Sequence, residues 1–343
     1  MTAAVDPSTG LKSLLGDTTV VRLRPRFEGS NICTWIGFKH INYLVEEAVL
    51  VHFDRAGLSS RQLYAEYGLA CEFTGMDTRI LHAFHLDDQV EAEVAPARFR
   101  GQTEDALTFK VTLRVDRGGG VLKAATSKVR LSLRTDATVE AAPETPGPLR
   151  PFTVDRLGAD LPPVADPAPE QTAAAERALA AGGDEAAVLA ALTQGRNAYA
   201  WKWHITYPYC HFTERLQLSG YLRLMEEAKD RFVRDRGISI KTLLDERKWI
   251  PACPASAVRI LDEALMEEDL YTVYTVEQVF KDLTYTSRMD NYVVRDGRLR
   301  LVQSGTVTHG YAKITGRRDW SLVPFDQRVL DALHGTAGST GNA

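Results

Sequence analysis

Two adjacent glutamates, Glu46 and Glu47, sit inside "YLVEEAVLVHFDRAGLS", and the same pair returns as Glu226 and Glu227 in "LRLMEEAKDRFVRDRGIS". A glutamate in the middle of a helix is ordinarily a solvated group. Glu47, however, lies beside Leu44, Ala48 and Val51, an apolar stripe at helical spacing. A carboxylate on an enclosed face needs partners or a shifted pKa, and such a group can serve as a general base or a nucleophile. His40 precedes the first pair in "TWIGFKHIN", where the helix should begin. A histidine there can move a proton near neutral pH, and Gly37 allows close backbone approach. Thr34 and Lys39 crowd the same turn, while Trp35 and Tyr43 read as pocket walls rather than chemical groups. A plainer reading stands beside each of these. Two similar helices can carry the same structural ion pairs, and His40, which has Gly220 opposite it in the second copy, can be a surface histidine at a helix start.

The elements that must position these residues are written twice. Glu46 and Glu226 stand 180 residues apart, and the same offset relates Leu44 to Leu224, Ala48 to Ala228, Gly57 to Gly237, Ser59 to Ser239, Leu63 to Leu243 and Glu66 to Glu246. "RIL" follows at 79–81 and 259–261, and Asp116/Asp296 and Thr126/Thr306 continue the count. Repetition at a fixed offset predicts two copies of one fold. Each copy reads as a short strand (18–27; 199–207), then one helix (about 40–56; about 219–236) ending at Gly57 or Gly237 as a C-cap. Antiparallel strand signals follow. They are "TRILHAFHL", "QVEAEVAPARFR", "ALTFKVTLRVD" and "VLKAATSKVRLSL" in the first copy, and "SAVRILDEAL", "DLYTVYTVEQVFK", "TSRMDNYVVRD" and "LRLVQSGTVTHGYAKI" in the second. "DRGGG" and "RDGR" read as hairpin turns. One long helix followed by a meander is an α+β plan. The expected organisation is a flexible N-terminus over 1–17, domains over 18–138 and 197–320, a Pro/Ala-rich linker with one or two surface helices over 139–196, and a tail over 321–343 whose "HGTAGSTGNA" should be disordered.

Composition narrows the function classes. The chain has 343 residues, 44% hydrophobic and 25% charged, which is the balance of a soluble globular protein of two domains. A net charge of −4 offers no basic field for nucleic acid. No apolar run approaches a membrane span of roughly 20 residues, and "MTAAVDPSTG" has no signal-peptide pattern. Cys33, Cys71, Cys210 and Cys253 lack CxxC spacing and are expected to be reduced thiols in a cytoplasmic protein. His82 and His85, three apart on a presumed strand, would face opposite sides, so no metal is expected, and no cofactor. His52, His204 and His309 fall into no pattern with a nameable partner. Arg22, Arg24 and Arg26 alternate along the first strand as either a solvated edge or, with Arg98 and Arg100, a dock for phosphopantetheine or an acidic carrier protein.

A long helix carrying Glu-Glu-Ala and cradled by a meander resembles the hotdog fold of thioesterases and dehydratases. Two copies over about 18–135 and 197–320 resemble a double hotdog. That resemblance implies two pseudo-symmetric clefts, each built from both halves. It also implies that the helix start points free N–H groups at a thioester carbonyl. Many hotdog thioesterases carry an Asp about 15 residues ahead of the helical acid; Asn31 and His211 stand there instead. Asn31 with Glu46 suits a branch that uses a helical Glu, and His211 with Glu46 suits the dehydratases. "FEGSNICTWIGFKHINYLVEEAVL" is similar to the double-hotdog thioesterases of actinomycete β-amino-acid and isonitrile pathways, which add glycine to an α,β-unsaturated acyl thioester and then hydrolyse the adduct. That likeness implies a cation for the glycine carboxylate, Lys39 or Arg215, and a base among His40, His211 and the glutamates. It leaves a phenol donor open among Tyr207, Tyr209 and Tyr221. The expectation is a thioesterase acting on acyl groups carried by acyl carrier protein or CoA, with glycine as a further reactant. A 3-hydroxyacyl hydratase or dehydratase and a non-catalytic acyl-binding module are the alternatives. Nucleic acid and membrane partners are not expected, and association of chains is open.

Overall fold

The structure, a computed structural model, describes residues 6–99, 106–158, 161–164, 168–210 and 212–336. Two compact units divide the chain, Met1–Asp160 and Leu161–Ala343. The first contains α1 (Pro7–Gly16), β1 (Thr19–Leu23), α2 (Phe38–Arg55), α3 (Ser60–Tyr67), β2 (Leu69–Ile80), β3 (Val90–Pro96), β4 (Leu107–Asp116), β5 (Val121–Thr135) and β6 (Thr153–Val154). The second contains α4 (Pro169–Ala180), α5 (Glu185–Thr193), β7 (Ala198–His204), α6 (Leu218–Asp235), α7 (Ile240–Arg247), β8 (Trp249–Ile260), β9 (Asp269–Phe280), β10 (Thr284–Arg295), β11 (Arg298–Ile314), β12 (Trp320–Val323) and α8 (Gln327–His334).

The sheet of the first unit runs β1-β3-β4-β5-β2, and that of the second runs β7-β9-β10-β11-β8. The order is the same, strand for strand. In each unit one 18-residue helix, α2 or α6, buries a broad apolar face. Both helices stop in the same way. Gly57 and Gly237 take φ of 75° and 71°, and the N–H groups of Leu58 and Ile238 reach back to Phe53 O and Val233 O at 2.9 Å. That is a Schellman end, in which glycine adopts the left-handed backbone at no steric cost. Ser59 and Ser239 then cap α3 and α7, each accepting from the N–H three residues on. Sequence reading marked both serines as repeated but missed the short helices they start.

Several boundaries differ from expectation. The stretch 7–16, expected to be flexible, is helical: Asp6 caps α1 and Pro7 opens it, and Leu14 is buried. The expected tail contains β12 and α8, which buries Val329, Ala332 and Leu333; residues 337–343 lie outside the described residues. The Ala-rich helices α4 and α5 are more than surface additions, since Ala175, Val188 and Leu192 pack on Tyr271, Val273, Tyr292 and Leu299. The strand placed at "TRILHAFHL" starts earlier, at Leu69, because "LACEFTGM" is buried on both faces and so shows no alternation. His82 and His85 therefore follow β2 rather than lie on it. Among the described residues no helix is long and apolar enough to cross a membrane.

The internal count also changes. Arg79 pairs with Thr126, whereas Arg259 pairs with Ser304, an offset of 178 rather than 180. The offset is 180 through β3 and β9, where Val94 and Tyr274 pair with Val111 and Met289. The two residues are lost in the connection that follows. Asp116/Asp296 and Thr126/Thr306 are therefore not structural equivalents; Thr126 corresponds to Ser304.

Candidate active site

Helix α2 presents one part-exposed stripe: Lys39, Tyr43, Glu46, Glu47 and Leu50. These positions recur at turns of the helix and share a side. The flanking face, including Asn42, Val45, Ala48 and Val49, is buried. Glu46 is half-buried and Glu47 exposed. Burial, then the neighbouring charges of Glu47 and of Glu72 on β2, push the Glu46 carboxyl up to about 7. Glu72 is only 7% exposed. Sequence reasoning missed it, although a charged residue within the apolar run "LACEFTGM" was the available signal. Beneath the helix, Thr78 Oγ1 donates to Asn42 Oδ1 at 2.5 Å. Ser127 Oγ lies 2.9 Å from Thr78 Oγ1 and so donates to it. This chain of three buried side chains fixes the turn of α2 that precedes Glu46.

The second unit treats the repeated pair differently. Glu227 accepts from Arg231 Nε and Nη2 at 2.8 and 2.6 Å, one turn along α6, and the Arg231 guanidinium lies 5.0 Å from the Trp201 ring. The residue four beyond Glu47 is Val51. The plain ion-pair reading thus holds for Glu227 and has no counterpart at Glu47.

The loop before α2 is strained. Cys33 and Thr34 take φ of 70° and 76° in succession, and β-branched residues rarely adopt that region. Asn31 is exposed and accepts from Ile32 N, starting a 3₁₀ turn. Trp35 is 6% exposed, forms a bridge with His85, and has its ring 6.4 Å from the His85 ring. Gly37 is the N-cap of α2, and no side chain caps the helix start. At about 1.5 Å per residue, that start lies about 13 Å along the axis from Glu46. Within this unit the two do not form one reaction centre.

His40 is not a surface histidine; it is 7% exposed, and its ring meets Tyr43 edge-on at 5.0 Å. A Cβ on Gly29 would fall 2.7 Å from His40 Cγ. In the second unit the crowded glycine is Gly220, on the helix itself. Tyr209 stands 180 residues after Gly29, and a Cβ on Gly220 would fall 3.0 Å from Tyr209 O and 2.6 Å from Leu216 Cδ1. Close approach of Leu216 and the Tyr209 backbone thus explains the glycine at position 220.

The remaining expected residues are placed as follows. Thr34 is exposed and Lys39 half-buried. Arg215 is 2% exposed, and its residue bridges Leu265. Tyr221 is fully buried in the second unit, and burial pushes its phenol well above the usual range. Tyr207 is 64% exposed and Tyr209 half-buried. His211 and Arg100 lie outside the described residues. Only Arg22 of the three alternating arginines is on β1; Arg24 and Arg26 follow it, all three are exposed, and Arg24 meets Asp87 at 3.5 Å. His52, His204 and His309 each have partners: Thr19 Oγ1 and Leu14 O for the first, Asp269 for the second, Cys253 and Ser287 for the third. Among the described residues no cluster of three His, Cys, Asp or Glu could hold a metal.

No protein-family model matches the sequence, and no curated protein matches it. Among solved structures, the chain is similar to the 12:0-ACP thioesterase of Umbellularia californica, with 10% identity and a TM-score of 0.54 over 85% of this chain and 93% of that one. It is also similar to a protein of Lactobacillus plantarum whose assignment as an oleoyl thioesterase is provisional, with 11% identity and a TM-score of 0.53 over 86% of this chain and 95% of that one. These likenesses identify the fold. The chain is an α+β double hotdog, two hotdog units in tandem.

Proposed function

We propose that this protein hydrolyses acyl thioesters, with Glu46 as the general base. The observation that carries the reading is the half-buried Glu46 carboxyl, held at about 7 on the part-exposed stripe of the central helix. In the ionised form it takes a proton from water as the water oxygen attacks the thioester carbonyl. The carbon–sulfur bond then breaks, and the departing sulfur takes up a proton. A base whose pKa lies near the working pH combines a useful ionised fraction with a useful proton affinity. The occurrence of the same fold in an acyl-ACP thioesterase supports an acyl chain carried by acyl carrier protein or CoA as the substrate class.

A finer form of the proposal adds glycine to an α,β-unsaturated acyl thioester before hydrolysis. Lys39 supports it. This cation shares the stripe with Tyr43 and Glu46 and offers a partner for a glycine carboxylate.

The test is mass spectrometry of the products from crotonyl and butyryl thioesters, with and without glycine, for the wild type and Glu46→Gln. Free acid from both substrates is expected, with kcat/KM rising as pH increases through about 7, where Glu46 ionises. Glu46→Gln should lower turnover about 10³-fold. A crotonyl product heavier by one glycine supports the addition. Gain of water at C3 with the thiol retained would replace hydrolysis by hydration. Wild-type turnover in Glu46→Gln would remove Glu46 as the base.

A further inference from the structure

The interior of the second unit holds a set of groups that thioester hydrolysis at Glu46 does not use. Lys229 lies on the sheet-facing side of α6, 5% exposed. Its Nζ meets no hydrogen-bond partner and lies 5.5 Å from the Tyr311 ring centre. The Tyr311 hydroxyl is likewise buried without a partner. Cys253 on β8 is half-buried. Its Sγ lies 3.3 Å from His309 Nδ1, and His309 Nε2 lies 3.1 Å from Ser287 Oγ. Ser287 Oγ donates to Val307 O, so it accepts from His309 Nε2–H. In the tautomer that matches this arrangement, Nδ1 carries the lone pair and faces the thiol. A nucleophile, a base in reach of it and a third group orienting the base are the parts of an acyl-transfer site.

The fold does not require these residues. With the offset of 180 in the helix and first strands, and 178 in the last two, Lys229, Cys253, Ser287, His309 and Tyr311 correspond to Val49, Phe73, Phe109, Leu131 and Leu133. All five of these are buried and apolar. Two unpartnered buried donors beside a thiol–imidazole pair are costly unless an acceptor arrives to use them.

We propose that Cys253 is an acyl-accepting thiol. It attacks the carbonyl of an acyl thioester while His309 Nδ1 takes its proton, and Lys229 and Tyr311 donate to the oxygen that becomes negative. The bond from carbon to the departing sulfur breaks, and that sulfur leaves with the proton from His309. The products are acyl-Cys253 and a free thiol, and no oxidant or reductant is needed. The choice of electrophile rests on the thioester reading above.

The groups facing Cys253 are Lys229 and Glu226 from α6, Tyr274 from β9, Tyr285 from β10, and His309 and Tyr311 from β11. Burial pushes the thiol up to about 12, while the charge of Lys229 draws it down. Burial brings Lys229 itself down to about 8. Burial and the charge of Lys229 hold His309 well below the usual imidazole range, so the ring that faces the thiol is neutral.

The experiment treats the full chain with the butyryl thioester of N-acetylcysteamine, quenches in acid and maps the adduct by mass spectrometry. Hydrolysis is followed in parallel. The expected adduct is on Cys253, is absent in Cys253→Ser, and forms at least tenfold more slowly in Lys229→Met and in His309→Gln. Iodoacetamide should likewise label Cys253 at least tenfold more slowly in both variants, which a merely structural role would not produce. No adduct in the wild type, with hydrolysis that depends on Glu46, overturns this inference and leaves the hydrolase reading standing. An adduct without hydrolysis does the reverse. An adduct whose rate ignores both Lys229→Met and His309→Gln shows a merely accessible thiol and overturns the proposed site.

Discussion

The two units share a backbone plan and oppose each other inside. Beneath α2 the polar floor is Asn42, Thr78 and Ser127, close to the helix start, and the deeper positions are apolar. Beneath α6 the corresponding places are Leu222, Val258 and Gly305. Beside Gly305, however, Asn291 joins Thr272 and Gln303 in a buried polar chain, and a further polar group, absent from the first unit, lies about two turns farther on at Lys229, Cys253 and His309. At the helix start the close contacts also differ, Gly29 against the His40 side chain in one unit and Gly220 against Leu216 and the Tyr209 backbone in the other. A hotdog thus specifies helix length, helix ends and strand order. Which level of its interior is polar is left to the sequence, and function belongs to the site rather than the fold.

Four measurements break or sharpen this comparison. The largest effect expected is on turnover: about 10³-fold lost in Glu46→Gln, against less than about threefold in Glu226→Gln. Equal losses in steady-state hydrolysis would show that both helices carry chemistry.

Next is Lys229→Met, which removes a buried amine and supplies the apolar character that Val49 has in the first unit. Folded Lys229 stands at about 8 against an ordinary 10.5. Between those values the unfolded chain binds more protons, so stability rises with pH there, and the full penalty is present below about 8. The variant should be about 3 kcal/mol more stable at pH 7, with the gap closing towards pH 10.5. Denaturant midpoints across pH test this, and a gap that does not change with pH would mean that Lys229 is not a buried titrating group.

Gly29→Ala follows. Its Cβ cannot coexist with the His40 ring at 2.7 Å, and about 2 kcal/mol should be lost. His40→Gly in the same chain should recover part of that, because alanine would keep the Cβ that lies 2.9 Å away. Failure of the rescue in thermal unfolding would dissociate the two residues. Smallest and most symmetric are the caps. Ser59→Ala and Ser239→Ala should each cost about 1 kcal/mol, and equal costs would confirm that the units agree where they are built alike.

Much of the plan was legible in the sequence. The repeat, the long helices and their glycine ends came from spacing and residue type. The Glu72 neighbour did not, because β2 is buried on both faces and a strand of that kind has no period to read. Lys229 was hidden by "EEAKDRF", which reads as a solvated run of alternating charge, yet α6 turns this one lysine inward. His309 looked solitary because its partners, Cys253 and Ser287, come from two other strands. The count of 180 failed in the last two strands because length can change in a connection without changing which residues pair.

The chain has five tryptophans. Trp201, Trp203, Trp249 and Trp320 belong to the second unit, and Trp35 alone belongs to the first. Trp35 is almost fully enclosed, on the strained loop ahead of α2, and faces His85. An optical signal is therefore already built into the molecule. With the other four indoles replaced by phenylalanine, the colour and intensity of Trp35 emission would report the surroundings of that loop alone, and a proton gained by His85 would dim it.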